Sequence, residues 1–146
     1  MKYTFAFAIL AIISIGIASC SNETTTSDIS ATPVAVQNTV KDNFSSNVIA
    51  VTTETNTFGE DEYEVVLADG TKVEFLGDEW KEVSVPAGQN VPVTFVIEPI
   101  QTYVATNNPG QSIVKIERKD KKGYEIKLSN GVEIVFDSNG NFVKID

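Results

Sequence analysis

Two glutamates, Glu64 and Glu74, have the types and spacing in this chain most suggestive of chemistry. They fall in two alternating runs, Tyr63–Leu67 (YEVVL) and Val73–Phe75 (VEF), joined across Ala68-Asp69-Gly70. If the runs pair as a hairpin with a three-residue loop, the two carboxylates stand opposite one another on one sheet face. Carboxylates so placed can bind a cation, pair with a partner's arginine, or work as an acid–base couple. A solvated face that tolerates mild repulsion is the plainer alternative. Lys72 lies on the same face, with Val66. The corresponding construction in Tyr124–Phe136 puts Glu125, Lys127 and Glu133 on that face with Val135 and Val143, and sets Lys127 opposite Glu133 as a favourable pair. Glu64, Lys72, Glu74, Glu125, Lys127 and Glu133 are therefore the candidate binding residues.

Other chemistry is excluded by what the chain lacks. It has no histidine and one cysteine, Cys20, so the common zinc and haem sites, cysteine-protease sites and a Ser–His–Asp triad are ruled out. Glycines sit in hairpin turns, never between a strand and a helix as a phosphate loop requires. Nothing suggests a sugar cleft in which paired carboxylates would act as a glycosidase. No catalytic residue, metal or cofactor is assigned, and the chain is read as non-enzymatic. Its formal net charge of −9 argues against nucleic acid and against broad adhesion to anionic lipid. Solubility accounts for that charge.

The elements that would carry the face follow from periodicity and turn residues. In Pro33 to Phe44, apolar residues at Val36, Val40 and Phe44 mark a short amphipathic helix, with Thr32 as cap and Pro33 in its first turn. Ile97, Ile100, Tyr103 and Val104 form a second stripe within Thr94 to Thr106; Pro99 either kinks that helix or delays its start to Glu98. Each helix precedes a strand-like run, Val48 to Thr53 and Ile113 to Arg118. A meander then follows in each half. Tyr63–Leu67 matches Tyr124–Leu128, Val73–Phe75 matches Ile134–Phe136, and Trp80 with Val83 matches Phe142 with Ile145.

Register is fixed by keeping one face apolar. Loops at 129–131 and 68–70 pair Ile126 with Ile134, Tyr124 with Phe136, Val65 with Val73 and Tyr63 with Phe75; Gly131 supplies the left-handed residue. Ser138-Asn139-Gly140 brings Phe136 opposite Phe142, and a two-residue Gly77-Asp78 turn brings Phe75 opposite Trp80. The expected fold class is α+β: two tandem helix-plus-four-strand modules, 33–85 and 86–146, forming an antiparallel sheet with both helices packed on one face. A lone module would be marginal in size, so the two are expected to stack as one cooperative unit. The loops Glu60-Asp61-Glu62 and Arg118-Lys119-Asp120-Lys121-Lys122 give one end an acidic and the other a basic character, either to orient a partner or as ordinary charged turns.

The N-terminus reads as a leader. Lys2 precedes an almost wholly apolar run from Tyr3 to Ser19, which fits a secretory signal at 1–19; a transmembrane helix is the rival reading. Loss of Lys2 with the leader makes the mature chain one unit more negative. Ser21 to Thr32 is rich in Ser and Thr, so 20–32 is expected to be a flexible tether.

Two resemblances add to this. Ile17-Ala18-Ser19-Cys20 resembles the lipobox of bacterial lipoproteins, in which the cysteine is lipidated and becomes the new N-terminus. It implies a cell-envelope protein held to a membrane, the outer membrane first, through lipid on Cys20, on its periplasmic or cell-surface side. Plain secretion and an uncleaved anchor stay open. The doubled pattern Y-E-x-x-L-x-[DN]-G…F, over Pro33 to Asp146, resembles the PepSY-like, β-lactamase-inhibitor-like domains of bacterial envelopes. That resemblance implies a curved sheet and a non-catalytic role in binding an envelope protein. The inhibitor that lends the family its name grips its target with the concave sheet face. Its binding aromatics have no counterpart on a face of Glu, Lys and Val, so that target is not carried over. A small-ligand or divalent-cation module centred on Glu64 and Glu74 is the alternative function.

Overall fold

The computed structural model describes residues 23–146. The leader and Cys20 lie outside the described residues. Nine strands follow one another in a single antiparallel sheet whose spatial order is the sequence order. They are β1 (Thr24–Thr26), β2 (Val48–Thr55), β3 (Asp61–Leu67), β4 (Lys72–Leu76), β5 (Glu79–Ser84), β6 (Ile113–Arg118), β7 (Tyr124–Leu128), β8 (Glu133–Phe136) and β9 (Phe142–Ile145). Two ten-residue helices, α1 (Val34–Asn43) and α2 (Glu98–Asn107), accompany the sheet.

This corrects the expected fold class. The described residues are mostly one nine-stranded sheet with two short helices, not an α+β pair of helix-plus-four-strand modules. The physical reason lies in two backbone ladders. β5 pairs directly with β6, through Glu82–Glu117, Val83–Ile116 and Ser84–Lys115, so the sheet runs on without a boundary. At the other end β1 pairs with β2, adding a strand from the stretch expected to be tether. Thr24–Thr26 cannot bury much apolar surface, but β-branched residues suit a strand, and the exposed edge of β2 offers them a ladder.

The hairpins have the anticipated registers. Tyr63 opposes Phe75 and Val65 opposes Val73; Tyr124 opposes Phe136 and Ile126 opposes Ile134. Phe75 opposes Trp80 and Phe136 opposes Phe142. Gly131 has a φ of +88°, the conformation its three-residue loop needs. Gly123, ahead of β7, has a harder constraint: at φ +117° a Cβ there would lie 2.1 Å from the Phe136 carbonyl oxygen. Thr32 does not cap α1. Its hydroxyl donates to the Ile29 carbonyl at 2.8 Å, closing a 3₁₀ turn, and Pro33 takes the cap position. α2 starts at Glu98, with Pro99 in its first turn where no donor is missed.

One face of the sheet is covered. Val36 and Val40 of α1 and Ile100 and Val104 of α2 join Val51, Val65, Val73, Phe75, Val83, Ile116, Ile126, Ile134 and Phe136 in a single core. Phe95, from the 3₁₀ turn Val93–Phe95, meets Trp80 edge-on at 5.3 Å and stacks on Phe44 at 5.8 Å. Tyr103 of α2 does the same for the C-terminal strands, edge-on to Phe136 and stacked on Phe142, each at 5.2 Å. Among the described residues, no helix lies against the other sheet face.

Candidate functional site

Because side chains alternate along each strand, the registers that bury the core dictate the opposite face. Its central feature is a row of glutamates. Glu64 of β3 opposes Glu74 of β4, Glu74 opposes Glu82 of β5, Glu82 opposes Glu117 of β6, and Glu117 opposes Glu125 of β7. Thr52 of β2 and Val135 of β8 continue it at either end. Two residues along each strand runs a basic row, with Lys72 opposite Ser84, Ser84 opposite Lys115, Lys115 opposite Lys127, and Lys127 opposite Glu133.

All six candidate binding residues are on this face. Lys127 pairs with Glu133 at 3.0 Å, as the hairpin register required. Glu82 and Glu117 were missed. Both follow the alternation of their own strands, but their place in the row depends on the pairing of β5 with β6, which no turn residue announces. Bulges also shift the outer registers. In β9 Lys144, rather than Val143, opposes Val135, and in β5 Lys81 is the extra residue between Trp80 and Glu82.

The row is neutralised unevenly. Lys115 reaches Glu82 at 2.8 Å, and Lys119 reaches both Glu117 at 2.6 Å and Glu125 at 3.4 Å. Burial depresses the pKa of Lys115, but the hydrogen bond and charge of Glu82 outweigh it and hold the ammonium above its ordinary value. Glu64 and Glu74 have no ion pair among the described residues. Glu64 is only 8% exposed, and its burial raises its pKa, partly offset by the charge of Lys72. Glu74 is pushed up to about 7, first by burial and then by the charges of Glu82 and Glu64, against a smaller opposing effect of Lys115. Near neutral pH the Glu64–Glu74 end therefore carries a proton that a free glutamate would have lost. The two carboxylates line a cavity of about 30 Å³ with Thr52, Glu54, Glu62 and Lys81. Among the described residues, no three acidic, histidine or cysteine side chains are arranged to hold a metal ion.

A second concavity lies where the loops gather. In a sequential antiparallel sheet, the β2–β3, β4–β5 and β6–β7 connections emerge at the same edge, so the acidic and basic loops are neighbours rather than opposite poles. Between them is a groove of about 680 Å³ lined by Glu60, Asp61, Tyr63, Trp80, Arg118 and Asp120 among others. Arg118 fills part of it, lying over the Trp80 ring at 5.1 Å and pairing with Glu79 at 2.9 Å. The charge of Arg118 is thus spent on β5 rather than on the acidic loop.

Known proteins match this architecture. The family model described as "Putative beta-lactamase-inhibitor-like, PepSY-like" matches residues 61–144. No curated protein matches the chain. Three solved structures are similar. A "putative periplasmic protein of unknown function" from Bacteroides vulgatus ATCC 8482 is 37% identical, with a TM-score of 0.80 over 85% of this chain and 98% of its own. Another putative periplasmic protein from the same organism is 36% identical, with a TM-score of 0.78 over 88% and 99%. A "putative calcium-regulated periplasmic protein" from Bacteroides thetaiotaomicron is 38% identical, with a TM-score of 0.77 over 85% and 96%.

Proposed function

The chain belongs to the PepSY-like, beta-lactamase-inhibitor-like family, and we propose that it is a non-catalytic envelope protein that holds a polypeptide partner on its open sheet face. The observation that carries this reading is the glutamate row. Five strands align five carboxylates on the face that no helix among the described residues covers, and the two at one end have no ion pair among those residues. A partner with basic side chains supplies what that end lacks. The inhibitor-like family and the periplasmic description of the similar structures support an envelope location and a role without catalysis. The test is affinity purification from envelope fractions with the wild-type chain and the Glu64→Lys/Glu74→Lys double variant. A specific partner retained by the first and lost by the second supports the surface; undiminished recovery by the variant refutes it.

Lipid attachment at Cys20 belongs to the same proposal and rests on the lipobox-like sequence. Replacing Cys20 by Ser is expected to abolish lipid labelling and release the protein from the membrane fraction. Unchanged retention would indicate an uncleaved anchor instead.

A second reading, divalent-cation binding at Glu64 and Glu74, is favoured by one observation: the similar Bacteroides thetaiotaomicron protein is described as calcium-regulated. Calorimetric titration with calcium decides it. Absence of heat at millimolar calcium ends this reading.

A further inference from the structure

We infer that the cavity at Glu64 and Glu74 is a slot for a single lysine ammonium group of the polypeptide partner, an inference that rests on the open-face reading above. Glu64 is more than nine-tenths buried, yet it has no hydrogen bond or ion pair among the described residues. Its carboxylate keeps only a narrow opening to solvent, Thr71 Oγ1 being the one fully buried side-chain polar atom without a partner among the described residues, and with no counter-charge beside it the position favours any cation that can enter. Every other glutamate of the row has one. Lys115 serves Glu82, and Lys119 serves Glu117 and Glu125. The demand for positive charge is therefore local to this end.

Size and donor geometry select the cation. The cavity, about 30 Å³, accommodates a group of about the volume of one water molecule. An ammonium head is that compact, whereas a guanidinium is a broad planar fork. An ammonium offers three donors and no acceptor. Glu64, Glu74 and the Thr52 hydroxyl are acceptors from three adjacent strands, aligned in one row. A hard divalent ion wants six or more oxygens around it, and no three acidic side chains among the described residues are arranged to hold one. Among the described residues, the neighbouring lysines form no ion pair in the slot. Lys72 acts on Glu64 only through its charge, and Lys81 lines the cavity from its bulge without an ion pair among the described residues.

The test titrates the full chain with hexalysine, hexaarginine and calcium chloride, following heat and Trp80 fluorescence. Wild type, Glu64→Gln, Glu74→Gln and, as a control on α1, Asp42→Asn are compared. Hexalysine is expected to bind the wild type about tenfold tighter than hexaarginine, the loss of one charged hydrogen bond being worth roughly that factor. Each Glu→Gln variant removes that preference, and Asp42→Asn keeps it. Equal affinity for the two peptides overturns the slot while leaving the acidic face standing. Binding of neither peptide overturns the face reading as well. Calcium binding that disappears in Glu64→Gln, without a lysine preference in the wild type, overturns the slot and assigns the cavity to a metal ion. The lysine–arginine comparison on the wild type decides the matter even if a variant is poorly folded.

Discussion

At one end of the glutamate row Glu64 and Glu74 face each other with no ion pair among the described residues, while at the other Glu117 and Glu125 share Lys119. Both pairs lie on the same sheet face and are set opposite one another by the same kind of antiparallel ladder. The difference comes from the residues around them. Lys119 stands at the start of the β6–β7 loop and folds back over the row, whereas Glu60 at the end of the β2–β3 loop and Asp61 and Glu62 at the start of β3 occupy the corresponding place. Like charges on neighbouring strands are tolerable when a cation is supplied locally and stored as electrostatic tension when it is not. The buried faces beneath the two pairs show no such contrast. Phe75 and Phe136 occupy equivalent core positions, opposite Tyr63 and Tyr124, and both are shielded from solvent.

That comparison can be broken at three points. The largest effect tests the shared part. Phe75→Ala and Phe136→Ala should each cost about 3–5 kcal/mol in urea denaturation, because each opens a cavity in the same core. A cost near zero for either would show that its half of the core contributes little.

Glu74→Gln is next and tests the unpaired end. The folded-state pKa of Glu74, about 7, lies above its ordinary value of 4.5, so the native state binds the extra proton in that window. Stability therefore falls as pH rises from 4.5 through 7, and the penalty is complete above that range. The variant should be more stable than wild type by about 1–2 kcal/mol at alkaline pH, after allowance for solvent screening, with the advantage vanishing near pH 4. Thermal melts across pH would show it; a pH-independent difference would contradict the assignment.

The smallest effect is expected at the paired end. Glu125→Gln removes one of the two carboxylates served by Lys119 and should cost no more than about 1 kcal/mol at neutral pH. Elevated salt should shrink that loss further. Stabilisation by Glu125→Gln comparable to that of Glu74→Gln would erase the distinction between the two ends.

Much of the site was legible in the sequence because hairpin geometry is local. Glu64 and Glu74 are separated by one three-residue turn, and keeping Tyr63, Val65, Val73 and Phe75 on one face leaves a single register. The same holds for Lys127 and Glu133, and for the two-residue turn that sets Phe75 against Trp80. Glu82, Glu117 and Lys115 were not legible as members of the site, nor was Lys81 as a bulge residue lining the cavity. The burial of Glu64 was not legible either, since a strand residue two places from a valine on the open face carries no signal of solvent exclusion.

What the sequence by itself determined is the set of short-range choices: which runs are strands, which face of each is apolar, and how each turn sets its hairpin. Alternation and turn chemistry act within a few residues, so they can be read without knowing the rest of the chain. Only the tertiary structure decided that β5 continues into β6 across the α2 connection and that Thr24–Thr26 becomes an edge strand. Long connections leave register free, and it is settled by packing Val83 and Ile116 into one core beneath the helices. That packing turned separate glutamates into one row and left its Glu64–Glu74 end without an ion pair among the described residues.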